Sequence, residues 1–71
     1  MDWERIEGQW QHFKVLAQAR WGRISAADFE LIAGRRDLLV THIQQMYGIS
    51  HNAAQMQLES WQGRQQEPEA A

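Results

Sequence analysis

The sequence predicts an all-α fold: a small bundle of two packed helical hairpins, four to five helices in all. Three observations lead there. Apolar residues step by three or four along nearly the whole chain, which lines them on one face of a helix. No segment shows the β-branched alternation of a strand. And one helical phrase is used twice: Asp2-Trp3-Glu4-Arg5-Ile6-Glu7-Gly8 returns 26 residues later as Asp28-Phe29-Glu30-Leu31-Ile32-Ala33-Gly34. The same offset carries Phe13 onto Leu39, Ala17 onto Ile43 and Trp21-Gly22 onto Tyr47-Gly48. An internal repeat of about 26 residues implies one helical unit written twice, each copy too small to bury its apolar face alone.

The first helical stretch carries Trp3, Ile6, Trp10, Phe13, Ala17 and Trp21 on one face, with Gly8 inside the run. The second copy has Gly34 at the matching place, directly before Arg35-Arg36, so a kink or a new helix start is expected at both glycines. Gly22 and Gly48 follow aromatic residues and are expected to end helices in the left-handed cap conformation. Ser25 then opens the next helix, with Asp28 as a shortened capping box, and Ser50 opens the last one without an acid three residues on. Phe29 and Ile32 carry the third apolar face, and Leu39, Ile43, Met46 and Tyr47 the fourth. The last helix, near 51–62, presents Ala54, Leu58 and Trp61 and stops at Gly63. The expected core is Trp3, Ile6, Trp10, Phe13, Trp21, Phe29, Ile32, Leu39, Ile43, Tyr47, Leu58 and Trp61. Residues 1–63 form one domain in this reading, and 64–71, with Pro68 and no apolar anchor, form a flexible acidic tail.

Composition narrows the possibilities further. A chain of 71 residues holds one domain and buries only about 60% of the surface its unfolded form exposes. Without cysteine there is no disulfide and no thiolate chemistry. Acidic Asp2, Glu4 and Glu7 stand where a signal peptide would be basic, and no apolar run reaches the roughly 18 residues of a membrane span. The expectation is a cytoplasmic monomer with no membrane partner. Net charge is −2. Residues 1–48 are balanced, and the acidic excess falls at the end, in Glu59, Glu67 and Glu69 against Arg64. A dedicated nucleic-acid binder is usually strongly basic.

The pattern Trp3-x-x-Ile6-x-Gly8-x-Trp10, then Trp21-Gly22-x-Ile24-Ser25, resembles the small bacterial CsbD-like family of stress-response proteins. Ile32-x-Gly34-Arg35-Arg36-Asp37-x-Leu39-Val40 and Ile43-Gln44-x-x-Tyr47-Gly48-Ile49-Ser50 extend the resemblance over about residues 2–61, most specifically from Gly34 to Ser50. It implies a compact bundle likened to two crossed helical hairpins, in a bacterial cytoplasm, with expression tied to general stress. It brings no accepted enzymatic activity, cofactor or catalytic residue. The chain departs from the pattern with Val15 and Thr41 where members often carry glycine, and with glutamine and alanine where they carry lysine.

Side chains able to carry chemistry have structural explanations. His12, His42 and His51 lack the close pairing of a zinc site, so they are read as exposed and no metal is expected. Asp2, Glu4, Glu7, Asp28 and Glu30 sit in first helical turns, where a carboxylate stabilises the helix dipole by about 0.3–1 kcal/mol. Ser25 and Ser50 are caps. No catalytic residue and no cofactor is expected. The tryptophans could stack on single-stranded bases, but their helical spacing favours a core. Arg36 matches Trp10 in the repeat, so its stem is expected to be buried and its head paired with Glu7, Asp28 or Glu30. Arg20, Arg23 and Arg35 are the candidate contacts for an anion or nucleic acid. The favoured function is a non-enzymatic stress-response protein of unestablished molecular role, acting by contact with another macromolecule, such as a protein, or by abundance. The alternative is weak, salt-sensitive nucleic-acid or anion binding through those arginines.

Overall fold

A computed structural model describes residues 2–65. Five helices follow in order: α1 (Trp3–Gly8), α2 (Trp10–Arg20), α3 (Ala26–Ile32), α4 (Arg36–Tyr47) and α5 (His51–Gly63). The fold is all-α, with no strand among the described residues. The expected tail falls mostly on residues 66–71, outside the described range.

Each boundary has a local cause. The break between α1 and α2 falls at Gln9, whose N–H still bonds the carbonyls of Arg5 and Ile6 while its backbone leaves helical geometry. The Ser25 and Ser50 hydroxyls accept the backbone N–H of Asp28 and Ala53, each at 3.1 Å, satisfying donors that the first turns of α3 and α5 would leave open. Gly48 ends α4 in the left-handed conformation, at φ 63°. Gly22 does not do the same for α2. That helix stops at Arg20, and the turn is made at negative φ, with Trp21 as cap and the Ile24 N–H returning to the Trp21 carbonyl. Burying both Trp21 and Ile24 pulls the chain inward before a glycine cap is needed. The left-handed pair lies instead at Ala33 (φ 50°) and Gly34 (φ 83°), between α3 and α4.

Sequential helices pack on one another, and α4 against α5 is the most extensive contact. The three-residue turn 48–50 makes that pair antiparallel, so the start of α4 meets the end of α5. The core comprises Ile6, Trp10, Phe13, Ala17, Trp21, Ile24, Phe29, Ile32, Leu39, Val40, Ile43, Ala54, Leu58 and Trp61. Trp61 closes it. Its ring lies 5.5 Å from Trp21, 6.3 Å from Trp3 and 6.4 Å from Phe13, in tilted and edge-on geometries that suit the aromatic quadrupole. Two expected core members, Trp3 and Tyr47, are only half-buried at the rim, while Ile24 and Val40 are buried without having been expected.

Candidate functional site

Burial decides the role of the aromatic rings. Trp10 is 6% exposed and Trp21 0%, so neither can receive a nucleobase. Their polar ends are used inside the fold: Trp10 Nε1 donates to the Phe29 carbonyl at 3.0 Å and Trp21 Nε1 to Gln57 Oε1 at 3.1 Å. Trp3 Nε1 donates to the Gly34 carbonyl at 2.8 Å, tying α1 to the α3–α4 turn. Among the described residues no buried side-chain nitrogen or oxygen lacks a hydrogen-bond partner.

The titratable residues are dispersed. His12 lies edge-on to Phe13, with ring centroids 4.9 Å apart, and is exposed, as is His51 at the start of α5. His42 differs from its expected exposure: it is half-buried, with Nδ1 2.8 Å from the Leu38 carbonyl one turn back. No group of three histidines or carboxylates suited to a metal is present among the described residues. Lys14 and Glu30 form an ion pair that links α2 to α3.

Arg36 also corrects its expected role. Its stem is half-buried, but its head pairs with none of Glu7, Asp28 and Glu30, and Lys14 holds Glu30. Arg36 instead lines an open cleft of about 410 Å³ together with Glu59, Gln62 and Gly63, where the start of α4 meets the end of α5. The 26-residue offset expected from the sequence sets it against Trp10, yet α5 rather than α1 supplies its surroundings.

The three candidate arginines divide into two places. Arg20 ends α2, with its guanidinium carbon 5.3 Å from the centroid of the Trp21 ring. Arg23, three residues on, lies 5.4 Å from the centroid of Tyr47, and its backbone N–H donates to the Tyr47 hydroxyl at 3.3 Å. Both therefore sit at the α2–α3 corner, and Arg23 touches the last residue of α4. Arg35 precedes the first residue of α4, and the 12 residues of that helix span about 18 Å. Arg20 and Arg23 share a corner; Arg35 stands at the opposite end of α4.

One surface feature was not anticipated. His12, Val15, Leu16 and Ala19 are all exposed on α2, with Val15 62% and Leu16 41% accessible. Their spacing of i, i+3, i+4 and i+7 is itself helical. The sequence held the signal, but the stronger period of Trp10, Phe13 and Ala17 took the core assignment.

Known proteins resemble this chain over most of its length. A UPF0337 protein of Pectobacterium atrosepticum is 36% identical over 87% of this chain and 90% of its own. Another from Rhodopseudomonas palustris is 36% identical over 86% of this chain and 92% of its own. The UPF0337 protein YjbJ of Escherichia coli (strain K12) is 33% identical over 90% of this chain and 93% of its own. No family model matches the chain, and no solved structure matches it significantly.

Proposed function

The chain belongs to the UPF0337 family, and from that premise we propose that it is a CsbD-like stress-response protein of the bacterial cytoplasm. It works without catalysis, by stoichiometric contact with another macromolecule or by abundance. Residues 1–63 are the working domain in this reading, and the acidic stretch 64–71 is an appendage. The observation that carries it is the use of the chain's polar and aromatic chemistry in holding the fold. Three indole N–H groups bond within the bundle, and both capping hydroxyls bond first-turn amides. What is left to meet a partner is an outer surface of glutamines, arginines and a few exposed apolar side chains.

Stoichiometric action has a signature that catalysis lacks. In a deletion strain carrying the gene under a titratable promoter, survival under stress should rise in proportion to protein level and need near-native abundance. Full protection at a few per cent of that abundance would overturn the non-catalytic reading. An abundance that stays constant across heat, osmotic and starvation stress would overturn the stress role.

A second reading, anion or nucleic-acid contact through Arg20, Arg23 and Arg35, is favoured by the pairing of Arg20 and Arg23 at one corner. Both guanidinium groups are steadied by an aromatic ring there. Phosphate would meet Arg20 and Arg23 together, and Arg35 would need a ligand long enough to follow α4.

A further inference from the structure

We propose that the cleft between the start of α4 and the end of α5 binds a small zwitterion. The ligand class is a molecule with one carboxylate and one ammonium group, such as a free amino acid or a dipeptide. Arg36, Glu59, Gln62 and Gly63 line the cleft, and its volume of about 410 Å³ suits an organic solute. The lining holds one cation and one anion, with no other charged side chain among the described residues. These two charges do not satisfy each other. Among the described residues no ion pair or hydrogen bond engages either the Arg36 guanidinium or the Glu59 carboxylate. Helix electrostatics does not explain them either. Arg36 is the first residue of α4, where the helix dipole is positive, and Glu59 stands one turn before the negative end of α5. Each lies on the side of its own sign. Asp37 is the acid that offsets the α4 dipole, and Arg64, at the end of α5, donates to Ser60 Oγ at 2.9 Å.

Two opposite charges left open in one cleft decide the class of ligand. A simple anion meets Arg36 but is repelled by Glu59, and a simple cation meets the reverse. A zwitterion satisfies both. Its carboxylate takes the planar guanidinium fork of Arg36, and its ammonium group takes the carboxylate of Glu59. Gly63 leaves the rim clear, since even a β-carbon there would meet nothing within 4 Å. Glu59 is exposed and Arg36 half-buried, so water screens both contacts and the affinity is modest. A bound zwitterion clasps the start of α4 to the end of α5 and stabilises the fold by mass action. The site is separate from the Arg20–Arg23 corner and does not depend on the identity of any macromolecular partner.

Amide and arginine side-chain chemical shifts of the full chain test this, titrated with free leucine and with alanylalanine. Acetate, inorganic phosphate and ethylammonium serve as probes of a single charge sign. A dissociation constant of roughly 0.5–5 mM is expected for at least one zwitterion, with shifts centred on Arg36, Glu59, Gln62 and Gly63. The zwitterion that saturates first names the source, a free amino acid or a peptide. The single-sign probes should bind at least about tenfold more weakly. At saturation the zwitterion should raise Tm by a few degrees. Arg36→Gln and Glu59→Gln should each weaken binding by about tenfold or more. The Tm of either free variant should hold or rise, because a charge has left a helix end of its own sign. Gly63→Leu should block the cleft with helical circular dichroism intact. No saturable shift with either zwitterion up to about 50 mM would overturn the proposal. So would acetate or phosphate binding as tightly as the zwitterions, which makes this a plain anion site. A lower Tm in Arg36→Gln or Glu59→Gln would overturn it too, by showing that the charge already has a partner within the protein.

Discussion

Gly34 is pressed against Glu7. A β-carbon at Gly34 would stand 2.9 Å from Glu7 Cγ, 3.1 Å from Glu7 Cα and 3.3 Å from its carbonyl oxygen. Two of those neighbours are backbone, so a side-chain rotation cannot make room. Gly34 also has φ 83° and offers its carbonyl to the Trp3 indole. One residue thus combines a left-handed turn, a close crossing of α1 and an anchor for the first tryptophan. Sequence alone showed a glycine before Arg35-Arg36, and the crossing explains why glycine stands there.

Gly34→Ala should destabilise the fold by roughly 2–5 kcal/mol, the sum of left-handed strain of about 1–2 kcal/mol and overpacking of about 1–3 kcal/mol. Gly48 provides the comparison. It is left-handed at φ 63°, but a β-carbon there meets nothing within 4 Å. Gly48→Ala should then cost only about 1 kcal/mol. Urea unfolding followed by helical circular dichroism checks both, and equal costs would remove the Glu7 crossing from the account.

Ala33 precedes Gly34 at φ 50° with an L side chain, as the left-handed cap of α3. Glycine adopts that conformation freely, so Ala33→Gly should stabilise the protein by roughly 0.5–1 kcal/mol. For a domain this small, that is a rise in Tm of a few degrees. Differential scanning calorimetry reads it, and a fall in Tm would mean that backbone freedom gained in the unfolded chain outweighs the strain.

Much of this fold was legible because one period ran through it. The spacing of Ile6, Trp10, Phe13 and Trp21 along α1, α2 and the cap of α2 placed them in the core, where they are. The misses have local reasons. Ile24 lies in a turn, where periodicity has nothing to say. Val40 falls at the expected 26-residue offset from Lys14, which pairs with Glu30 on the surface, so reasoning by analogy hid it. Gly22 matched Gly48 in sequence, but the chain turned inward at Trp21 first. The arginines were visible as residues and not as a surface. Their separation depends on which end of α4 meets the α2–α3 corner, a tertiary fact set by the Arg23–Tyr47 contact.

Trp10 and Gln57 test the aromatic core from two sides. Trp10→Ala should cost about 3–5 kcal/mol, enough to unfold a marginal domain. Gln57→Ala removes little apolar volume but leaves the Trp21 N–H, 3.1 Å from Gln57 Oε1, without its acceptor inside the core. An orphaned buried donor costs about 1–3 kcal/mol. Denaturant midpoints at constant m-value measure both. A Gln57→Ala variant as stable as the parent would show that water reaches the Trp21 indole.

The arginines make a prediction that separates the two readings of function. If anion contact operates, it should centre on the corner where Arg20 and Arg23 meet. Duplex DNA binding followed by fluorescence anisotropy at 20 mM and 150 mM salt should then weaken steeply with salt, because each neutralised phosphate releases counterions. The double variant Arg20→Gln, Arg23→Gln should abolish it. Arg35→Gln, at the far end of α4, should reduce it less, and only for duplexes long enough to span about 18 Å. Equal losses from both variants would mean that the ligand follows the whole length of α4 rather than the corner. Binding that ignores salt would exclude phosphate contact. No binding even at 20 mM salt would leave protein contact as the reading that stands.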